Sequence, residues 1–215
     1  MQKNLKTVLL ALFILLQTAC VIEVQSGDHG HDVSKVFGGI EIREGAIAHH
    51  VDSVNGGIVL RDNSTADRVE TVNGSIRVYD DVSVRSLETV NGSIRAGQNL
   101  KVDDDVNTVN GGIELLAGTV VNRSVSTVNG TIRLEKTEVH HDVETINGDI
   151  KLLDGTIVKG DVIFEKNGSF FQGHSRKPRL VVDAHSSIEG EIHLYREVRL
   201  EIAEDAMVGE IIEHF

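Results

Sequence analysis

One thiol, ten histidines and a recurring asparagine are the residues whose types could do chemistry here. Cys20 is the single Cys in 215 residues, so neither an internal disulfide nor a thiolate metal cluster can form. A lone thiol can instead carry a covalent modification. His29 and His31 are flanked by Asp28 and Asp32, a cluster that could hold a divalent cation weakly. The surrounding Ser26–Asp32 stretch is polar and short, and reads as a solvated linker. The acidic runs Asp80-Asp81 and Asp103-Asp104-Asp105 read as solvated turns rather than calcium ligands. No Ser/His/Asp or Cys/His nucleophile arrangement is visible, and no metal or cofactor is expected. Asn55, Asn73, Asn91, Asn110, Asn129, Asn147 and Asn167 each precede a glycine. A side chain repeated that often reads as structure rather than as a site.

Composition narrows the partners. The net charge is −12, from 33 acidic against 21 basic residues. Phosphate backbones are bound by clustered Lys and Arg, so a nucleic-acid partner is not expected.

The chain opens with Lys3 and Lys6, an apolar run Val8–Leu16, and Gln17-Thr18-Ala19-Cys20. A basic start, a short apolar segment and a small-residue junction predict a secretion signal over residues 1–19, too short to span a bilayer. The Ala19-Cys20 junction resembles the bacterial lipoprotein signal, although Gln17 stands where Leu is usual. The resemblance implies that Cys20 becomes the lipid-modified first residue and anchors the chain to a membrane. Val21 after the Cys resembles the outer-membrane sorting pattern. Loss of Lys3 and Lys6 would take the charge from −12 to −14. Residues 20–35 are expected to be a tether between lipid and body.

The elements that must position everything else are copies of one unit. It begins as Val36-Phe37-Gly38-Gly39-Ile40 and Val54-Asn55-Gly56-Gly57-Ile58, and continues to Ile146-Asn147-Gly148-Asp149-Ile150 and Lys166-Asn167-Gly168-Ser169-Phe170. The copies step by 18, 18, 18, 19, 19, 18 and 20 residues, the mark of a stacked-repeat architecture. Ile58 and Leu60 flank a position that is mostly charged in the other copies, and this repeats to Ile150 and Leu152. Such in-out-in alternation is a strand with one buried face. A second apolar column precedes each leading Val by three residues: Val51, Val69, Leu87, Val106, Val125, Val143, Ile163. That three-residue step breaks period two and predicts a bend there.

The sequence therefore predicts an all-β, single-stack parallel β-solenoid of 18–20-residue coils over residues 36–215. Uniform columns follow, because parallel coils stack like on like. Asn-Gly is assigned to a tight corner with positive φ, and stacked amides can hydrogen-bond along the column. Ser53, Thr71, Thr89, Thr108, Thr127 and Thr145 are expected to face outward. Residues 171–179, with the single Pro, are read as a loop leaving the stack. Residues 180–215 are read as further coils that finish it, the acidic Glu201, Glu204, Asp205, Glu210 and Glu213 charging its end.

The Thr-Val-Asn-Gly-x-Ile unit over residues 36–170, behind a lipoprotein-like signal, resembles the bacterial adhesin-type Val-Asn-Gly repeat domains of envelope proteins. The last coils bear a short likeness to bactofilins. These resemblances imply a non-enzymatic cell-envelope lipoprotein that displays a surface for adhesion or for binding an envelope polysaccharide or protein. They carry over no functional residues. The alternatives are a bactofilin-like scaffold that self-associates end to end, and a carbohydrate-active β-helix enzyme. Coils this short leave little room for the long loops that such enzymes place beside their carboxylates.

Overall fold

The computed structural model describes residues 21–25, 29–166 and 176–215. Among these there is no helix; every regular element is a strand paired in parallel with its counterpart one coil away. The protein is a β-solenoid whose coils each run along three faces.

The first face is a ten-stranded ladder, from Ile22–Val24 through Ile58–Leu60 to Arg199–Ile202. Its register is uniform: Ile40 pairs with Ile58, Ile58 with Ile76, and Ile132 with Ile150. The Ile58 and Leu60 columns are buried in every copy up to Leu152, as the alternation requires. β-Branched side chains suit this pleated, half-buried surface.

The second face contributes the small buried column Ala48, Ala66, Val84, Val102, Val121, Val139, Val158 and Ile188. The third contributes Val51, Val69, Leu87, Val106, Val125, Val143 and Val162. In the early coils one bent strand serves both faces, as in Ile47–Asn55 and Ser83–Asn91. From Asp103 onward an extra residue sits at the corner between them, so the strand splits into Lys101–Val102 and Val106–Asn110. That insertion begins the 19-residue spacing.

The three faces meet around one continuous apolar core that runs the length of the stack. At about 4.8 Å per rung, the nine steps of the first face span roughly 43 Å.

The structure departs from the sequence reading in several places. Residues expected to be tether are coil: Ile22–Val24 pairs in register with Ile40–Ile42, and His29–Phe37 pairs with Ile47–Asn55. The stack thus starts two residues after Cys20. Val162, not Ile163, continues the buried third-face column, since Val143 pairs with Val162 and Glu144 with Ile163. On the first face Leu180, not Phe170, follows Ile150; Phe170 and Asn167 lie outside the described residues.

The chain leaves after Phe164 and returns at Arg179, and of the expected loop only Arg176–Arg179 is described. Asp149 fastens the return. Its buried carboxylate accepts from Nη2 of Arg176 at 2.6 Å and from the backbone N–H of Arg179 at 2.9 Å. The last two coils then complete the same faces, as expected.

The Asn-Gly corner also differs in cause. None of the six described Asn in its column has positive φ, and neither do the glycines Gly56, Gly74, Gly92, Gly111, Gly130 and Gly148. Left-handed residues lie at another corner, after the first face: Gly45, Asn63, Asp81, Asn99, Gly118, Lys136, Asp154 and His185. The glycines of the Asn-Gly corner are required by close approach instead. A Cβ on Gly92 would stand closer than 3.0 Å to the carbonyl oxygen of Gly74, and the same holds along the column.

Candidate functional site

The third face turns its outward residues into a shallow groove of about 710 Å³ that crosses six coils. Strand alternation builds it. With Val51 and Ser53 inward, Asp52 and Val54 must point out, and stacking repeats this coil after coil. One wall is the polar column Ser34, Asp52, Glu70, Glu88, Asn107 and Ser126. The other is the apolar column Val36, Val54, Val72, Val90, Val109 and Val128.

The leading Val of each repeat is therefore a surface residue, 39–42% exposed from Val54 to Val109, and no bend falls before it. The Thr column is the inward one, contrary to expectation: Ser53, Thr71, Thr89, Thr108, Thr127 and Thr145 are all buried. Hydrophobicity alone gave the Thr column the wrong sign. The reason is a hydrogen bond available only inside. Oγ1 of Thr71 donates to the carbonyl oxygen of Gly56 at 2.9 Å, and Thr89, Thr108 and Thr127 repeat the bond to Gly74, Gly92 and Gly111. That same carbonyl fills the space a Cβ on the next glycine would need. Thr and Gly are two halves of one corner.

Beside the Val column runs the asparagine ladder, exposed throughout. Nδ2 of Asn73 donates to Oδ1 of Asn55 at 3.0 Å, and Asn91, Asn110, Asn129 and Asn147 each donate to the coil before. The ladder is structural along its described length.

The electrostatics of the groove come from stacked carboxylates. Burial and then the charge of Glu88 push the Glu70 carboxyl above its ordinary value, although Arg68 lies 3.1 Å away. The His50 backbone N–H and ring hold Asp32 below its ordinary value. Ser34 donates to Asp52 at 3.3 Å, and Ser126 to Asn107 at 2.8 Å. The surface can accept hydrogen bonds along one edge and cover apolar groups along the other.

Other polar side chains are placed apart. His50 faces Asp32 at 3.0 Å and His140 faces Glu138 at 2.9 Å, on different coils. Lys159 and then His140 hold Glu138 below its ordinary value. The run Asp103–Asp105 is the second-to-third-face corner. There Asp105 accepts from the Ser124 backbone N–H at 3.0 Å and Asp104 from Arg123 at 3.1 Å. Among the described residues no three His, Cys, Asp or Glu side chains converge as metal ligands. No helix among them is long and apolar enough to cross a membrane. Cys20 and the side chain of His29 lie outside the described residues.

One cluster was invisible in sequence. Nδ1 of His193 meets Nε2 of His214 at 3.1 Å, and Tyr195 stacks on His214 with ring centres 4.2 Å apart. Only the pairing of Ile192–Leu194 with Ile211–Glu213 brings these residues together.

No family model matches the chain, and neither a curated protein nor a solved structure matches it.

Proposed function

We propose that the protein is a non-enzymatic lipoprotein of the bacterial cell envelope, anchored through Cys20 and directed by its signal to the outer membrane. The rigid solenoid presents the third-face groove to an envelope polymer or to an adhesion partner. The observation that carries the reading is the groove itself: one pair of polar and apolar columns continued unbroken over six coils on a stiff scaffold. A surface of that form suits an extended partner, because each coil offers the same contacts at the ladder spacing. The signal-like residues 1–20 and the Val-Asn-Gly resemblance support the envelope setting. The acidic, exposed Glu201, Glu204, Asp205, Glu210 and Glu213 oppose end-to-end stacking of copies through the last coil.

The test is capture from detergent-solubilised envelope fractions by the full chain, alongside a Val72→Asp/Val90→Asp variant that keeps every buried column. A polysaccharide or protein retained by the wild type and lost from the variant supports the reading. Equal retention by both removes the groove from it. Turnover of a polysaccharide by the pure protein would turn the assignment towards an enzyme.

A further inference from the structure

The end of the stack next to Cys20 exposes a group of apolar side chains, whereas the far end exposes Leu200, Met207, Ile211 and Phe215 among five carboxylates. Phe37 is 73% exposed and Val36 57%, while Val21 and Ile22 are 46% and 38% exposed. These four residues share one corner of the first coil. The backbone N–H of Ile22 donates to the Gly39 carbonyl at 3.2 Å, and Val21 lies over Gly39, just after Phe37. Phe37 occupies the ladder column, pairing with Asn55, where five further coils carry an asparagine that bonds to its neighbour. With no coil before it among the described residues, that place holds a phenyl ring in the open.

We infer that this corner, Val21, Ile22, Val36 and Phe37, docks on a lipid surface, so that the rod stands end-on with its acidic last coil pointing away. The inference rests on the lipid anchor proposed for Cys20 and deepens it. The first strand residue, Ile22, is two residue steps from Cys20. At ~3.3–3.6 Å per residue they reach at most about 7 Å, so an acylated Cys20 holds the first rung against the lipid headgroups. Apolar side chains pressed into that layer gain free energy in proportion to the area they bury. Charge does not oppose the approach. Of the acidic side chains described in the first coil, Glu23 is ion-paired with Arg43 and Asp32 bonds to His50. The other end, roughly 43 Å away, exposes five carboxylates.

The chain contains no tryptophan, so an introduced one reports alone. Full-length Phe37→Trp and Phe215→Trp proteins, made in a lipoprotein-processing host, are reconstituted into phosphatidylethanolamine/phosphatidylglycerol vesicles with brominated acyl chains. Circular dichroism checks that each keeps its strand signature. The expected result is that both sediment with the vesicles, that Trp emission in Phe37→Trp is blue-shifted and quenched roughly twofold or more, and that emission in Phe215→Trp matches detergent solution. Sedimentation with equal quenching at both sites, or none at either, overturns the end-on docking and leaves the anchor standing. Failure to sediment, shared with Cys20→Ser, overturns both.

Discussion

Nη1 of Arg196 donates to Oδ1 of Asn147 at 2.8 Å and to the carbonyl oxygen of Ile146 at 3.0 Å. Asn147 is the last described rung of the amide ladder, and among the described residues no further ladder asparagine donates to its Oδ1. Every described amide in the column points the same way, which leaves the negative pole of the described ladder at this end. Arg196 places a cation there, much as Lys or Arg does at the C-terminus of a helix.

Breaking the ladder inside should therefore cost more than uncapping it. Arg196→Met removes one exposed cap and should destabilise by about 0.5–1 kcal/mol. Asn91→Asp takes the donor from Asn73 and sets a carboxylate against its oxygen, while still accepting from Asn110. A loss of about 2 kcal/mol is expected. Urea denaturation of both variants decides. Equal losses would mean that the amides act singly rather than as a column.

The two kinds of glycine should lose different amounts of stability to an added methyl group. Gly45 has φ +66° and nothing within 4 Å of an added Cβ, so Gly45→Ala meets only backbone strain, about 1–2 kcal/mol. Gly92→Ala has an ordinary φ but drives its Cβ into the Gly74 carbonyl, which cannot move without parting two coils. Its cost should exceed about 4 kcal/mol or prevent folding. Asn at position 45 separates the causes. It tolerates left-handed φ and should restore most of the loss, whereas Gly92→Asn should be as harmful as Gly92→Ala.

The interior of the first face was legible because Ile58 and Leu60 alternate with polar residues and recur without slipping. The third face was misread at Ser53 because polarity was taken as a guide to direction. A hydroxyl that finds the Gly56-type carbonyl is at home inside, and a valine on a stacked outer column is tolerated by its valine neighbours. The second-face column escaped notice because Ala48 and Ala66 are small and the corner after it changes length at Asp103. The slip from Ile163 to Val162 was hidden by two adjacent β-branched residues. The groove was legible only in retrospect, since it needs the direction of Val54 to be right.

Inward hydroxyls should matter where they have a partner and not where they lack one. Thr89→Val keeps the shape but strips the Gly74 carbonyl of its donor, a loss of about 1 kcal/mol. Ser53 is buried, and its Oγ has no hydrogen-bond partner among the described residues. Ser53→Ala should be neutral or slightly stabilising, because burying a hydroxyl without a partner costs free energy. Thermal denaturation of the two, side by side, tests the inward assignment. If Thr89→Val is neutral and exposed to labelling from solvent in its Cys counterpart, Thr89→Cys, the column faces out after all.

Acid should separate the clamp at Asp149 from the carboxylates of the third face. Burial alone would raise the Asp149 carboxyl. The Arg176 side chain, the Arg179 backbone N–H and the Arg176 charge outweigh it and hold the group below its ordinary value of 3.8. A depressed folded value means that the unfolded chain binds the proton first, so this contribution is complete above 3.8 and is lost as pH falls through the folded value. Asp149→Asn should then cost about 2 kcal/mol at neutral pH, with the deficit shrinking only below 3.8. Glu70 and Glu144 have the opposite sign. Burial raises both, helped by Glu88 in one case and by Glu165 and then Asp142 in the other. Their ionised forms strain the fold at neutral pH, and the strain is relieved as pH falls through the raised value towards 4.5. Glu70→Gln should stabilise at pH 7 by less than about 1 kcal/mol, because solvent screens a half-exposed group, and should match the wild type in acid below 4.5. Melting curves for the three proteins across that range give two gaps that close in acid from opposite sides. A Glu70→Gln protein less stable than the wild type at pH 7 would show that the Arg68 ion pair, 3.1 Å away, outweighs the stacking of Glu70 against Glu88.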